Sequence, residues 1–137
     1  MGTIYDTCVL INYERLGTEI ENLAPIKEGE LTGVSVVSIA ELLHGAHRAD
    51  GEERKQERLA FVDKVCTTFT VFDYDMAAAK TCAEIWSSTA QRGISVGVND
   101  MIIAATALSR GYSVLTLNKK DFENIEGLSV TILDSDI

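Results

Sequence analysis

The chain is 137 residues long, enough for one domain, residues 1–137, whose core can fold alone. Hydrophobic residues make up 46% and charged residues 24%, ordinary for a globular protein, and no apolar run reaches the ~20 residues a membrane span needs. With 21 acidic against 12 basic side chains the net charge is −9, which excludes a protein that coats nucleic acid through bulk electrostatics.

That acidity still leaves room for a nuclease, because part of it can sit in a pocket that cations neutralise. Local cations are present too: Lys119 and Lys120 adjoin Asp121, and Arg48, Arg54, Lys55 and Arg58 cluster further upstream. No basic segment precedes an apolar block at the N-terminus, which argues against a secretory signal and for a cytoplasmic location. Cys8, Cys66 and Cys82 form no CxxC pair and are odd in number, so they read as buried reduced thiols.

In chain order, Thr3 to Tyr5 is a short strand, and Val9 to Leu16 a helix closed by Gly17. Glu19 to Leu23 adds a turn before Pro25 stops it. Gly33 to Val37 is a β-branched run of the kind found in buried parallel strands. Ser38 then stands as an N-cap, with Glu41 three residues later in capping-box spacing, for a helix to His47. After Asp50-Gly51 a helix resumes over Glu52 to Val65, offering Leu59, Phe61, Val62 and Val65 to the core. Thr68 to Phe72 is the next strand, and Asp73 or Asp75 caps a helix from Met76 to Gln91 that Gly93 terminates. Asn99 caps a helix through Ser109, which Gly111 stops. Ser113 to Leu117 and Ser129 to Leu133 are the last strands. Strands alternating with helices predict a three-layer α/β/α domain on a parallel sheet of about five strands.

Four acids stand in similar settings. Asp6 follows the first strand and opens the first helix, at the sheet edge where α/β proteins bind ligands. Glu41 lies after the second strand, Asp100 begins an otherwise apolar helix, and Asp121 follows Thr116-Leu117-Asn118. Each has a structural explanation: a cap at Asp6, a capping box at Glu41, the helix dipole at Asp100, a solvated loop at Asp121. Brought together, however, each pair of carboxylates ~4 Å apart would repel by about 4 kcal/mol at an effective dielectric near 20. A divalent cation removes that cost. Glu41-x-x-His44 matches the spacing of di-iron bundles, but no second copy exists, and His44 and His47 read as helix surface. No glycine-rich phosphate loop follows a strand.

Taken together, these stretches resemble the PIN domain and, within it, the small VapC-type toxins of toxin–antitoxin pairs. The resemblance runs almost the full length. It rests on four motifs in order: Tyr5-Asp6-Thr7 with Val9-Leu10-Ile11; Val37 to Leu42 followed by Gly45-Ala46; Asn99 to Ala107; and Thr116 to Phe122. Cys8 departs from the family's usual Asn or Ser, and the Pro often found before the third motif is missing.

The resemblance implies an endoribonuclease dependent on Mg²⁺ or Mn²⁺, which hard carboxylate oxygens suit. Asp6 and Asp100 are the expected primary ligands, with Glu41 completing the set or orienting a water and Asp121 serving a second ion. Asn118 is the alternative to Asp121 at the fourth position. Ser38 and Thr116 are hydroxyls placed to orient the carboxylates. The implied partners are RNA, a cognate antitoxin whose Arg or Lys reaches the acids, and a second toxin copy, with DNA met only through the antitoxin. A PIN nuclease of RNA processing, a catalytically silent module and a phosphotransfer domain are the other readings; four intact acids weigh against the silent module, and the missing Lys after a late strand against phosphotransfer.

Overall fold

The computed structural model describes residues 1–17, 19 and 29–133. The turn expected over Glu19 to Leu23 and Pro25 lies outside them, apart from Glu19 itself. Five strands, β1 (Gly2–Tyr5), β2 (Leu31–Ser35), β3 (Thr70–Phe72), β4 (Ser113–Thr116) and β5 (Val130–Ile132), pair in the order β3-β2-β1-β4-β5. All four pairings are parallel. The helices are α1 (Thr7–Leu16), α2 (Val36–His47), α3 (Glu52–Thr68), α4 (Met76–Gln91) and α5 (Val98–Leu108).

Alternation along the strands feeds two cores. Ile4 and Val114 face one side, where they meet Cys82 and Ile85 of α4 and Met101, Ile103 and Ala104 of α5. Tyr5 and Leu115 face the other, against Val9, Leu10 and Tyr13 of α1, Leu42 of α2 and Val62 and Val65 of α3. This is the expected three-layer arrangement, and each fully buried aliphatic side chain contributes about 1.5–3 kcal/mol. No helix among the described residues is long and apolar enough to cross a membrane. Of the three thiols only Cys82 is buried; Cys66 is exposed and Cys8 partly so, against the expectation of three buried cysteines.

Several boundaries move, each for a local reason. β2 ends at Ser35, whose hydroxyl accepts from the Val37 amide at 3.2 Å and caps α2, so Val36 and Val37 are helical. Their β-branched side chains favour strand only weakly, and the cap overrides them. Ser38 is therefore inside α2, not at its cap, and the expected capping box with Glu41 does not form. Gly97, not Asn99, caps α5. Helix α3 runs on through Thr68, which leaves a three-residue β3. Asp75 rather than Asp73 caps α4, accepting from the Ala78 amide at 2.9 Å. Gly17, Gly93 and Gly111 follow their helices with φ of 66°, 70° and 72°, as expected of left-handed terminators.

The strand order reverses at β1, which is flanked by β2 and β4. A crevice opens beyond the carboxyl ends of strands at such a switch point. The register there depends on Gly33, because a Cβ at that position would stand 2.5 Å from the Phe72 ring and 3.0 Å from the Thr70 carbonyl oxygen. The Phe72 ring is held in turn by Tyr112, 5.8 Å away between centroids, and by the Arg110 guanidinium 4.6 Å above it. Gly33→Ala should therefore cost about 1–3 kcal/mol in urea unfolding through overpacking, with part of the loss regained in the double variant with Phe72→Leu. A neutral Gly33→Ala would show that the ring moves aside freely.

Candidate active site

Asp6 is the residue that turns β1 into α1. Its backbone amide donates to the Leu115 carbonyl of β4 at 2.9 Å, extending the sheet by one bond. Its side chain, only 4% exposed, accepts from the Thr7 amide through Oδ1 at 2.8 Å and caps α1. Oδ2 accepts from the Thr116 hydroxyl at 2.8 Å and from the Cys8 thiol at 3.1 Å. Asp6 thus fulfils the capping explanation and stands at the switch point as well. A buried carboxylate without donors would be costly, and these three offset that cost. Burial pushes the Cys8 thiol above its ordinary range, which keeps it in the protonated, donating form.

Thr116, the last residue of β4, is fully buried and works in two directions. Its proton goes to Asp6, and its oxygen accepts from the Asn118 amide at 3.0 Å. Asn118 in turn caps the short 3₁₀ turn Lys119–Asp121, its side-chain oxygen accepting from the Lys120 amide at 3.3 Å. The first strand and the loop bearing the fourth acid are tied together through one hydroxyl. Because the Asn118 oxygen is spent on the cap, Asp121 is the side chain left to supply charge.

Glu41 projects from α2 one turn beyond Ser38. The Thr7 hydroxyl lies 2.7 Å from Glu41 Oε1 and 2.7 Å from the buried Ser38 Oγ. Thr7 was not singled out in the sequence, although a hydroxyl directly after Asp6, opening an apolar helix, is a visible signal. His44 and His47 are exposed on α2, as expected.

Asp100 is half-buried in the first turn of α5. Gly97 caps that helix without a side chain, and a Cβ built on it would stand 3.4 Å from Asp100 Oδ2, so the carboxylate folds back over the open helix end. Its pKa is pushed up to about 6, first by burial and then by the charges of Asp121, Asp6 and Glu41. The two ion pairs found among the described residues, Arg92–Glu126 and Arg110–Asp75, involve none of the four. Among the described residues no three His, Cys, Asp or Glu side chains are drawn close enough to form a finished metal cage. Hydroxyls hold two of the four carboxylates, Thr116 at Asp6 and Thr7 at Glu41. The donor set is all hard oxygen, the unrelieved charge is negative, and a divalent cation such as Mg²⁺ fits both.

The sign of the pH effect follows. The folded value of Asp100 lies above the ordinary carboxylate value of 3.8, so the native state holds this proton more tightly than the unfolded chain. Its ionisation opposes folding at neutral pH, and that penalty fades as pH falls from about 6 toward ~4. In EDTA, Asp100→Asn should raise the melting temperature at pH 7, with the gain shrinking to nothing near pH 4. Equal melting of variant and wild type at pH 7 would contradict a shared carboxylate pocket.

Residues 3–128 match the PIN domain profile. Over 135 residues, 98% of each chain, the sequence is 36% identical to Ribonuclease VapC1 of Rickettsia felis. It is 37% identical over 95 residues to the tRNA(fMet)-specific endonuclease VapC of Shigella flexneri, covering 69% of this chain and 70% of that one. The fold superposes on DNA-bound VapBC from Salmonella typhimurium with a TM-score of 0.85 and 28% identity, over 96% of this chain and 98% of that one. The 3-2-1-4-5 parallel sheet, with Asp6 at its switch point, agrees with these matches, and the chain belongs to the PIN domain family, among its VapC-type ribonucleases.

Proposed function

We propose that the chain is an endoribonuclease dependent on Mg²⁺ or Mn²⁺ and the toxin of a toxin–antitoxin pair. The observation that carries this reading is geometric: Asp6 lies buried at the switch point with its carboxylate held by Thr7, Cys8 and Thr116, and the Thr7 hydroxyl reaches Glu41 of the next motif. Asp6 and Asp100 are the ligating pair, Asp6 fixed by its three donors and Asp100 by the start of α5. Glu41 completes the set or orients a water, and Asp121 binds a second ion or acts through water. When bound, the cation neutralises the carboxylates, lowers the pKa of a water it carries and stabilises charge on the phosphoryl oxygens. Lys119 and Lys120, both exposed beside Asp121, offer the local positive charge a phosphate backbone needs on a chain of net charge −9. The Shigella relative's name makes tRNA the first substrate to test.

Two surfaces suit protein partners. A cleft of about 540 Å³ between α1 and α3 is lined by Glu14, Arg15, Arg54, Glu57, Arg58 and Phe61. It would take an antitoxin helix with an apolar anchor for Phe61 and charges of both signs. An antitoxin Arg reaching the four acids would silence the site through a bidentate pair. The second surface is on α4, where Met76, Ala79, Ala83, Trp86 and Ala90 recur at steps of three and four, the spacing of a helix–helix seam. Met76 is 71% and Trp86 67% exposed. In an antiparallel pairing centred on Ala83, Met76 of one copy faces Ala90 of the other and Trp86 lies over Ala79, large against small.

Asp100→Asn should abolish Mg²⁺-dependent cleavage of tRNA while the fold is kept. Asp6→Asn should also abolish it but melt lower, because the amide presents a donor to groups that donate. Asp121→Asn should fall less far. Wild-type protein that leaves tRNA and ribosomal RNA intact in Mg²⁺ and does not arrest growth would sink the assignment. For assembly, light scattering should give a dimer for wild type and a monomer for Trp86→Glu; a dimeric variant would exclude the α4 seam.

A further inference from the structure

We infer that Thr7 is a positioning residue that sets the spacing between the first and second carboxylates, acting on metal binding through Glu41; the inference rests on the metal-dependent reading above. Thr7 is 6% exposed and meets both acids at once. Its amide donates to Asp6 Oδ1 at 2.8 Å, while its hydroxyl stands 2.7 Å from Glu41 Oε1. The contact partner on α2 is 34 residues away in the chain. One residue therefore joins the β1–α1 corner to the second helix after it.

The need for such a link follows from the charges. Glu41 has three side-chain torsions, is only half-buried and faces Asp6 and Asp100, which carry the same charge. Nothing in Coulomb's law holds it inward; repulsion turns it to solvent. A hydroxyl donor at 2.7 Å opposes this, and Ser38, 2.7 Å from the same hydroxyl, fixes the Thr7 rotamer from the α2 side. Both groups sit one turn apart on α2, so the pair Ser38 and Glu41 grips a single oxygen. Asp6 needs no comparable help, since Thr116 and Cys8 hold its other oxygen.

Thr7→Val keeps shape and β-branching and removes only the hydroxyl. In titrations of the full chain with Mn²⁺ alone, followed by calorimetry, it should bind about tenfold more weakly, within the range known for groups that orient ligands. Thr7→Ser should restore binding to within about twofold of wild type. A residue that merely packed would not be rescued by serine, which lacks the methyl. In RNA cleavage, Thr7→Val should need about tenfold more Mg²⁺ for half-maximal rate, again with serine rescuing. The variant combining Thr7→Val with Glu41→Gln should bind Mn²⁺ no more weakly than Glu41→Gln alone, because the link acts through the group removed. If wild type binds Mn²⁺ and Thr7→Val, folded by circular dichroism, binds it equally, the inference is overturned. Should Thr7→Val fail to fold, Thr7→Ala takes its place: Mn²⁺ binding equal to wild type, or a loss that adds to that of Glu41→Gln, overturns the inference, and a loss that disappears in the Glu41→Gln background supports it. Wild type that binds no Mn²⁺ overturns the metal reading itself, a separate failure.

Discussion

The carboxylate of Asp6 is the anchor of the site, the group on which β1, α1 and β4 meet. It is almost fully buried at the point where the sheet order reverses, and ends one strand, begins one helix and receives a hydroxyl from the neighbouring strand. The physical demand is severe, because an ionised group removed from water must be paid back by donors in full. The chain supplies them from three directions: an amide, a hydroxyl and a thiol. Those donors sit on residues that must themselves be placed, Thr116 by β4 and Cys8 by α1. The local geometry of β1, α1 and β4 is thereby tied to one anion.

The other three acids turn that anchor into an instability that function requires. Asp121, Asp6 and Glu41 all raise the proton affinity of Asp100, so bringing the set together opposes folding. The two cores, on either face of the sheet, supply the stabilisation that holds the acids near one another. A pocket of this kind is strained in the absence of a counter-charge and relieved by one. On the proposed reading, metal, proton and the guanidinium of a partner would be three forms of the same counter-charge and would compete for the same oxygens.

Much of this was legible in the sequence, for reasons that can be named. Asp6 stands out because an acid at a strand end is not explained by periodicity, and Asp100 because the helix it opens is otherwise apolar. The three-layer architecture follows from strands and helices that alternate, and Gly17, Gly93 and Gly111 mark three helix ends through the left-handed φ they adopt. Less legible was the start of α2. Val36 and Val37 look like strand, and Ser38 with Glu41 looks like a capping box, but Ser35 is one helical turn nearer β2 and takes the cap. The error had a functional cost. A Ser38 spent on capping has no hydroxyl to offer Thr7, so the link across to Glu41 stayed hidden. Contacts between residues 31 and 34 positions apart carry no local signature.

Net charge and function only seem opposed in a chain that carries −9 and acts on a polyanion. Bulk electrostatics slows the approach of RNA, but screening at physiological salt confines that field to about 8 Å. Inside that distance the local arrangement decides. On the proposed reading, one divalent cation would offset two of the four acidic charges, and Lys119 and Lys120, on the turn that carries Asp121, would offset as much again. The repulsion that RNA would meet at this surface would thus be smallest with the metal bound. An acidic chain would gain selectivity from this, because attraction for a phosphate would be confined to the metal site and its two lysines rather than spread over the molecule.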